Sequence, residues 1–252
     1  MHPQHWGIIV GMTNSPPPPP YIQYHARNSF LRIVGDAGDD FGVFSAQPVL
    51  GRRFPALVLM HDWMGLDSQT RLLTDQLAQA GFIVMAPDLF EGQIATTPHE
   101  AQALMKTFSE RRADQRLYDT LDVLGKNHIS NQRVGVIGVG LGGSFALKAA
   151  ATGAAIQAAV SCSGFPQRWL GKLRGAKVPM LALFGETDPL IPSEVIDALR
   201  AELSDPHAVI RLPGVGHDLW PDNPTSAESD ASQLALRYIA HFFHTALGGY
   251  PP

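Results

Sequence analysis

A run of glycines, one carboxylate and one imidazole carry the chemistry this sequence offers. Residues 133–144 read RVGVIGVGLGGS. Gly138, Gly140 and Gly143 spell G-x-G-x-x-G, the turn that presents a helix N-terminus to a dinucleotide's pyrophosphate. Gly138 and Gly142 also frame G-x-(nucleophile)-x-G, the strand–turn–helix turn that lifts an attacking side chain clear of a sheet, but its central place holds Gly140. Further along, ETDPLIP puts Asp188 in one loop and PGVGHDLW puts His217 in another. A carboxylate that orients an imidazole makes a general base, and nucleophile, acid, histidine is one of the chain orders in which such sets occur.

The two readings of the glycine turn separate on context. A dinucleotide turn opens its βαβ unit and is followed about twenty residues later by an acid for the ribose. Here the turn comes in mid-chain, and the window at that offset, QAAVSCSGF, has no acid. Asp188 and His217, each just past an apolar run, favour the second reading. Substitutes for the missing nucleophile are poor. Ser144 lies one helical turn on, about 6 Å along the axis, and is expected to pack against the sheet. Cys162, in an apolar run, reads as a small buried hydrophobe. His241 and His244 share a helix face but have no carboxylate partner in the motif, so no metal is expected.

These groups need a frame, and the rest of the chain supplies one. FLRIV and FGVFS read as an antiparallel pair about the turn GDAGDD. PALVLMHD, FIVMAP, RVGVIG, IQAAVS and VPMLALFG are the unbroken apolar runs of strands buried on both faces, and HAVIRL is the last strand. Between them lie helical periods at 68–81, 99–127 (one helix or two), after Gly140, at 193–203 with Ser193 as N-cap, and from Ser226 to His244. This alternation predicts an α/β fold with a mostly parallel central sheet and helices on both faces. Ligands of such sheets lie beyond the carboxyl ends of the strands, where Gly140, Asp188 and His217 all fall.

Composition narrows the partners. The chain has 252 residues, 45% of them hydrophobic, enough for one large domain. Net charge is −4 and no Lys/Arg run stands out, which speaks against nucleic acid or a membrane surface and for a small-molecule ligand. The single cysteine excludes an internal disulfide and suits a cytoplasmic protein. MHPQHWGIIVGM lacks a basic n-region and a cleavage site, so no secretory signal is expected. Pro16 to Pro20 read as a stiff polyproline II spacer, or a docking ligand for a proline-binding partner, within an arm over residues 1–27 that precedes a single domain at 28–252.

In order, HDWMGL, APDLFEG, GVGLGG, GETDPLIP and GVGHDLW resemble the dienelactone hydrolase family of α/β-hydrolases, over about residues 28–245. The resemblance implies a Cys–His–Asp triad, an oxyanion hole, no cofactor, and hydrolysis of small lactones or esters. It matches His217 and Asp188 to base and acid, Asp62 to a glutamate that contacts the resting thiol, and the backbone N–H groups of Trp63 and Leu141 to the oxyanion donors. Two departures stand out. Gly140 replaces the family's cysteine, so no acyl-enzyme forms there. Family members that take carboxylated dienelactones carry an arginine soon after the histidine, whereas DLWPDNP follows here.

The expectation is a triad that keeps base, acid and oxyanion donors around a vacated space that could hold water, with Trp63, Phe90, Phe165 and Trp220 lining an apolar pocket. Three functions stay open. One is hydrolysis of a small ester or lactone without a covalent nucleophile. Another is a non-hydrolytic acid–base reaction (lyase, isomerase or cyclase type) or ligand binding by a pseudoenzyme. The last is an ordinary cysteine hydrolase in which Gly140 is an introduced change.

Overall fold

The computed structural model describes residues 17–35, 38–49, 52–127, 129–203 and 207–248. Among the described residues eight strands form one sheet in the order β1-β2-β4-β3-β5-β6-β7-β8. They are β1 (Ala26–Val34), β2 (Asp40–Pro48), β3 (Phe54–Met60), β4 (Ile83–Pro87), β5 (Ser130–Val139), β6 (Ala158–Cys162), β7 (Met180–Gly185) and β8 (Ala208–Leu212). β1 and β2 form the antiparallel pair expected, β2 runs antiparallel to β4, and all other neighbours are parallel. Every residue of β3, β4, β6 and β7 is buried, which is why these strands read as unbroken apolar runs.

Six helices cover the sheet among the described residues: α1 (Ser68–Gln79), α2 (Pro98–Thr107), α3 (Glu110–Lys126), α4 (Leu141–Thr152), α5 (Ser193–Glu202) and α6 (Ser226–Leu247). One core layer packs Leu73 and Leu77 of α1 with Ala235, Ile239 and Phe243 of α6 against the sheet. The opposite layer takes Leu117 and Leu121 of α3, Phe145 of α4 and Leu199 of α5. Region 99–127 is two helices because Thr97 and Ser109 each cap a helix start, accepting from Glu100 N–H and Arg112 N–H. Ser193 is not an N-cap: Pro192 occupies that position with no side-chain bond, and Ser193 is the first helical residue. Thr225 and Glu228 close a reciprocal capping box on α6, which runs past His244 to Leu247.

Residues 1–16 lie outside the described residues, and with them Pro16 and the expectation of no secretory signal. Of the arm, Pro18 is buried and its carbonyl accepts a hydrogen bond from the Arg237 guanidinium. Tyr24 donates its N–H to Gln79 O and sets its ring edge-on to Phe54. Among the described residues, no helix is long and apolar enough to cross a membrane.

Candidate active site

The four residues of interest sit just past the carboxyl ends of four parallel strands: Asp62 after β3, Gly140 after β5, Asp188 after β7 and His217 after β8. Met60 of β3 is in register with Gly138 of β5, so Asp62 and Gly140, each two residues on, emerge side by side. Gly140 turns the chain from strand into helix with φ +51° and ψ −111°, a backbone that a side chain strains and glycine adopts freely. Its N–H donates to Cys162 O at 2.8 Å, and its carbonyl receives Ser144 N–H at 3.2 Å. Gly142 lets the helix start close to β3, since a Cβ there would lie 1.9 Å from Met60 O.

The space above Gly140 is not vacant. A Cβ at residue 140 would come 2.2 Å from Asp62 Oδ1 and 2.4 Å from its Cγ, so the Asp62 carboxylate fills the volume a side chain there would need. Leu141 N–H donates to Asp62 Oδ1 at 2.8 Å, and Trp63 N–H donates to the same carboxylate. The two N–H groups that the family resemblance casts as oxyanion donors therefore do converge, on a carboxylate of the protein itself. Burial pushes the Asp62 carboxyl above the usual aspartate range, while the two N–H donors and nearby His217 pull the other way without cancelling it.

Asp188 and His217 meet as their chain order predicts. His217 Nδ1 lies 2.8 Å from Asp188 Oδ2, and Asp188 Oδ1 accepts the Leu190 and Ile191 N–H groups at 2.8 and 3.2 Å. The Asp188 side chain is 1% exposed and that of His217 19%. With all these partners acting on an ionised carboxylate, the contact assigns the proton to His217 Nδ1 and leaves Nε2 as the basic nitrogen.

His217, Asp62 and Gly140 line one cavity of about 280 Å³, with Trp63 and Trp220 among its walls. Asp67, Asp218 and Asp222 add three more carboxylates, and no Lys or Arg lines it among the described residues. Asp218 accepts Trp220 N–H at 2.9 Å, and partial desolvation together with the nearby Asp222 and Asp67 carboxylates raises its pKa. A larger cavity of about 440 Å³ lies elsewhere, beside Phe30, Arg32 and Arg116. Two of its cations already have partners: Arg32 binds Asp40, and buried Arg116 binds Asp39 at 2.8 Å, Glu91 at 2.6 Å and the Asp88 carbonyl at 2.8 Å.

Other expected residues fall differently. Phe90 does not line the cavity; it packs with Ala95, Ala101 and Leu104 in a small cluster beneath α2. Phe165 sets its ring 5.4 Å from that of His217 but faces a neighbouring cavity beside Ser144 and Phe145. Ser144 Oγ accepts Phe165 N–H at 3.0 Å, a structural bond rather than an attacking position. Cys162 is fully buried and its thiol is pushed far up by desolvation, as expected of a core residue. His244 is buried, stacked on Phe82 and bonded to Ala80 O at 2.8 Å, and no metal-holding group occurs among the described residues.

His61 escaped the sequence reading. It is fully buried, accepts Leu89 N–H at Nε2 (2.9 Å), and donates from Nδ1 to Asp62 O (2.7 Å). Burial lowers its pKa, so it is a neutral strut that ties the end of β3 to the loop after β4. Its signal was available: a histidine ending a buried strand must find partners for both nitrogens.

The model of the dienelactone hydrolase family matches residues 41–247. Protein usf of Aquifex pyrophilus is 32% identical over 155 residues, covering 58% of this chain and 67% of that one. The dienelactone hydrolase of Anabaena variabilis superposes with a TM-score of 0.64 at 24% identity, covering 86% of this chain and 99% of the other. A dienelactone hydrolase-like promiscuous phosphotriesterase from metagenomic libraries gives 0.70 at 19% identity, over 85% and 98%. The two solved structures share the fold, and the family match spans most of the sequence. The chain belongs to the dienelactone hydrolase family of α/β-hydrolases.

Proposed function

We propose that this protein hydrolyses a small ester or lactone-type molecule without a covalent nucleophile at Gly140. The observation that carries this reading is the Asp188–His217 pair, 2.8 Å apart, whose imidazole lines a cavity that also contains Gly140. His217 Nε2 takes a proton from water, and Asp188 stabilises the imidazolium that results. The water attacks a carbonyl whose developing charge is received by the N–H groups of Leu141 and Trp63. For a substrate carbonyl to reach those donors, the Asp62 carboxylate must first turn away from them.

The acidic lining selects among substrates. Carboxylates at positions 62, 67, 218 and 222 repel an anion, so the substrate is uncharged or cationic and a carboxylated dienelactone is excluded. The carboxylate seated on the donors favours a second reading, a ligand-binding protein without turnover. Against it stands the hydrogen-bonded dyad, since a pure binder has little use for an oriented imidazole.

A panel of neutral and carboxylated small esters and lactones tests the proposal. Neutral members should turn over without a burst and without a trapped acyl-enzyme, and His217→Ala should abolish the rate. Equal rates for the wild type and folded His217→Ala would refute it.

A further inference from the structure

The group best placed to attack in this cavity stands above the turn rather than on it. Asp62 holds its carboxylate where a side chain of residue 140 would lie, with the built Cβ 2.2 Å from Oδ1 and 2.7 Å from Oδ2. The same carboxylate is steadied by two N–H donors and shares the cavity with His217. Toward an ester carbonyl a carboxylate is a poor nucleophile, because the anhydride it forms is less stable than the ester consumed. Toward an sp3 carbon bearing a leaving group it is competent, because the product is an ester.

We propose that Asp62 is the nucleophile of this site, serving small uncharged or cationic substrates with an electrophilic sp3 carbon, such as alkyl halides or epoxides. This goes beyond the functional reading above, with a different substrate class, and rests only on its assignment of His217 as the base for water.

In the first step one Asp62 oxygen bonds to the substrate carbon, and the leaving group departs with its bonding pair. A halide leaves as the anion; an epoxide oxygen stays attached and takes a proton from water. In the second step His217 Nε2 removes a proton from water, and the hydroxide adds to the Asp62 carbonyl carbon. The carbonyl oxygen of that ester already sits on the Leu141 N–H, and the negative charge develops there. The alkoxide then leaves with the proton from His217, giving the alcohol. Asp62 returns to the carboxylate with one oxygen from water, and a proton passes to solvent. On this route the two N–H groups serve the enzyme's own ester, so their occupation by Asp62 is the resting state of catalysis rather than an obstruction.

The test uses the full chain with 1-bromoalkanes in one arm and terminal epoxides in another. His217→Gln should accumulate an alkyl ester on Asp62, seen as the added alkyl mass on intact protein and located by peptide mapping. Wild type in H2(18)O, under single turnover, should place the label in Asp62 and not in the alcohol. Asp62→Asn, of the same shape and checked for folding by its melting curve, should lose both adduct and turnover. An adduct in either arm supports the proposal and names the leaving group. No adduct on Asp62 in either arm, an adduct elsewhere, or label in the alcohol would overturn it. If those results come with His217-dependent ester hydrolysis that Asp62→Asn leaves intact, Asp62 is not the nucleophile and the functional reading above stands.

Discussion

Replacing Gly140 by alanine adds one methyl group at the most crowded point of the cavity. Two costs follow. A side chain at φ +51° and ψ −111° carries backbone strain of about 1–3 kcal/mol. The new Cβ would lie 2.2 Å from Asp62 Oδ1, so the carboxylate must leave and give up its bond from Leu141 N–H. A hydrogen bond to a charged group contributes about 1.5–3 kcal/mol. Together these predict a loss on the order of 3–5 kcal/mol, or about 6–20 °C in Tm for a chain of this length.

The useful feature is that the two costs respond differently to Asp62. In an Asp62→Ala background the collision is gone and only the strain remains, so Gly140→Ala should cost about 1–3 kcal/mol. Urea denaturation of the four proteins in this double-mutant cycle measures a coupling of about 1.5–3 kcal/mol. Additivity within about 0.5 kcal/mol would mean that the carboxylate does not occupy the space over Gly140, and the assignment of Asp62 would fall with it.

Gly140→Cys should be a weak esterase, because Asp62 fills the place of the thiol; Gly140→Cys with Asp62→Ala should show a clear burst with an activated ester. A burst from the single variant as large as that from the double would contradict this. Burial holds the Asp62 carboxyl above the usual aspartate range, so its contribution to stability is fully present below the unfolded-state pKa and is lost as pH rises through the raised folded value. Asp62→Asn should therefore be more stable than wild type at neutral pH, with the gain fading in acid, as thermal melts across that range will show. Arg116→Ala removes the cation shared by Asp39, Glu91 and the Asp88 carbonyl, and should cost about 3 kcal/mol in chemical denaturation.

Much of the frame was legible because the physics is local. Strands such as VPMLALFG are buried on both faces and must be apolar throughout, and Asp188 stands out because it follows such a run, as His217 does after the shorter, mostly apolar β8. The meeting of Asp62 with Gly140 was legible only through the family resemblance, since it depends on the register of β3 against β5 and on one rotamer, neither of which a single strand encodes. The aromatic residues divide for a similar reason. Trp63 and Phe90 both follow strand ends and both touch the cluster under α2, yet only the path of each loop decides that Trp63 also lines the cavity while Phe90 does not. Ser193 failed as a cap because Pro192, with its fixed φ, already begins the turn into the helix.

The sheet order has a kinetic meaning. Asp62 and Gly140 follow β3 and β5, interior strands each bonded on both sides, whereas His217 follows β8, which among the described residues pairs only with β7. Amide exchange should be slowest beside the carboxylate and faster along β8, because a strand held on one side opens at lower free-energy cost. Each such opening withdraws the imidazole while the carboxylate stays on its donors. Hydrolysis of an ester formed on Asp62 would then pause during each opening of the sheet edge.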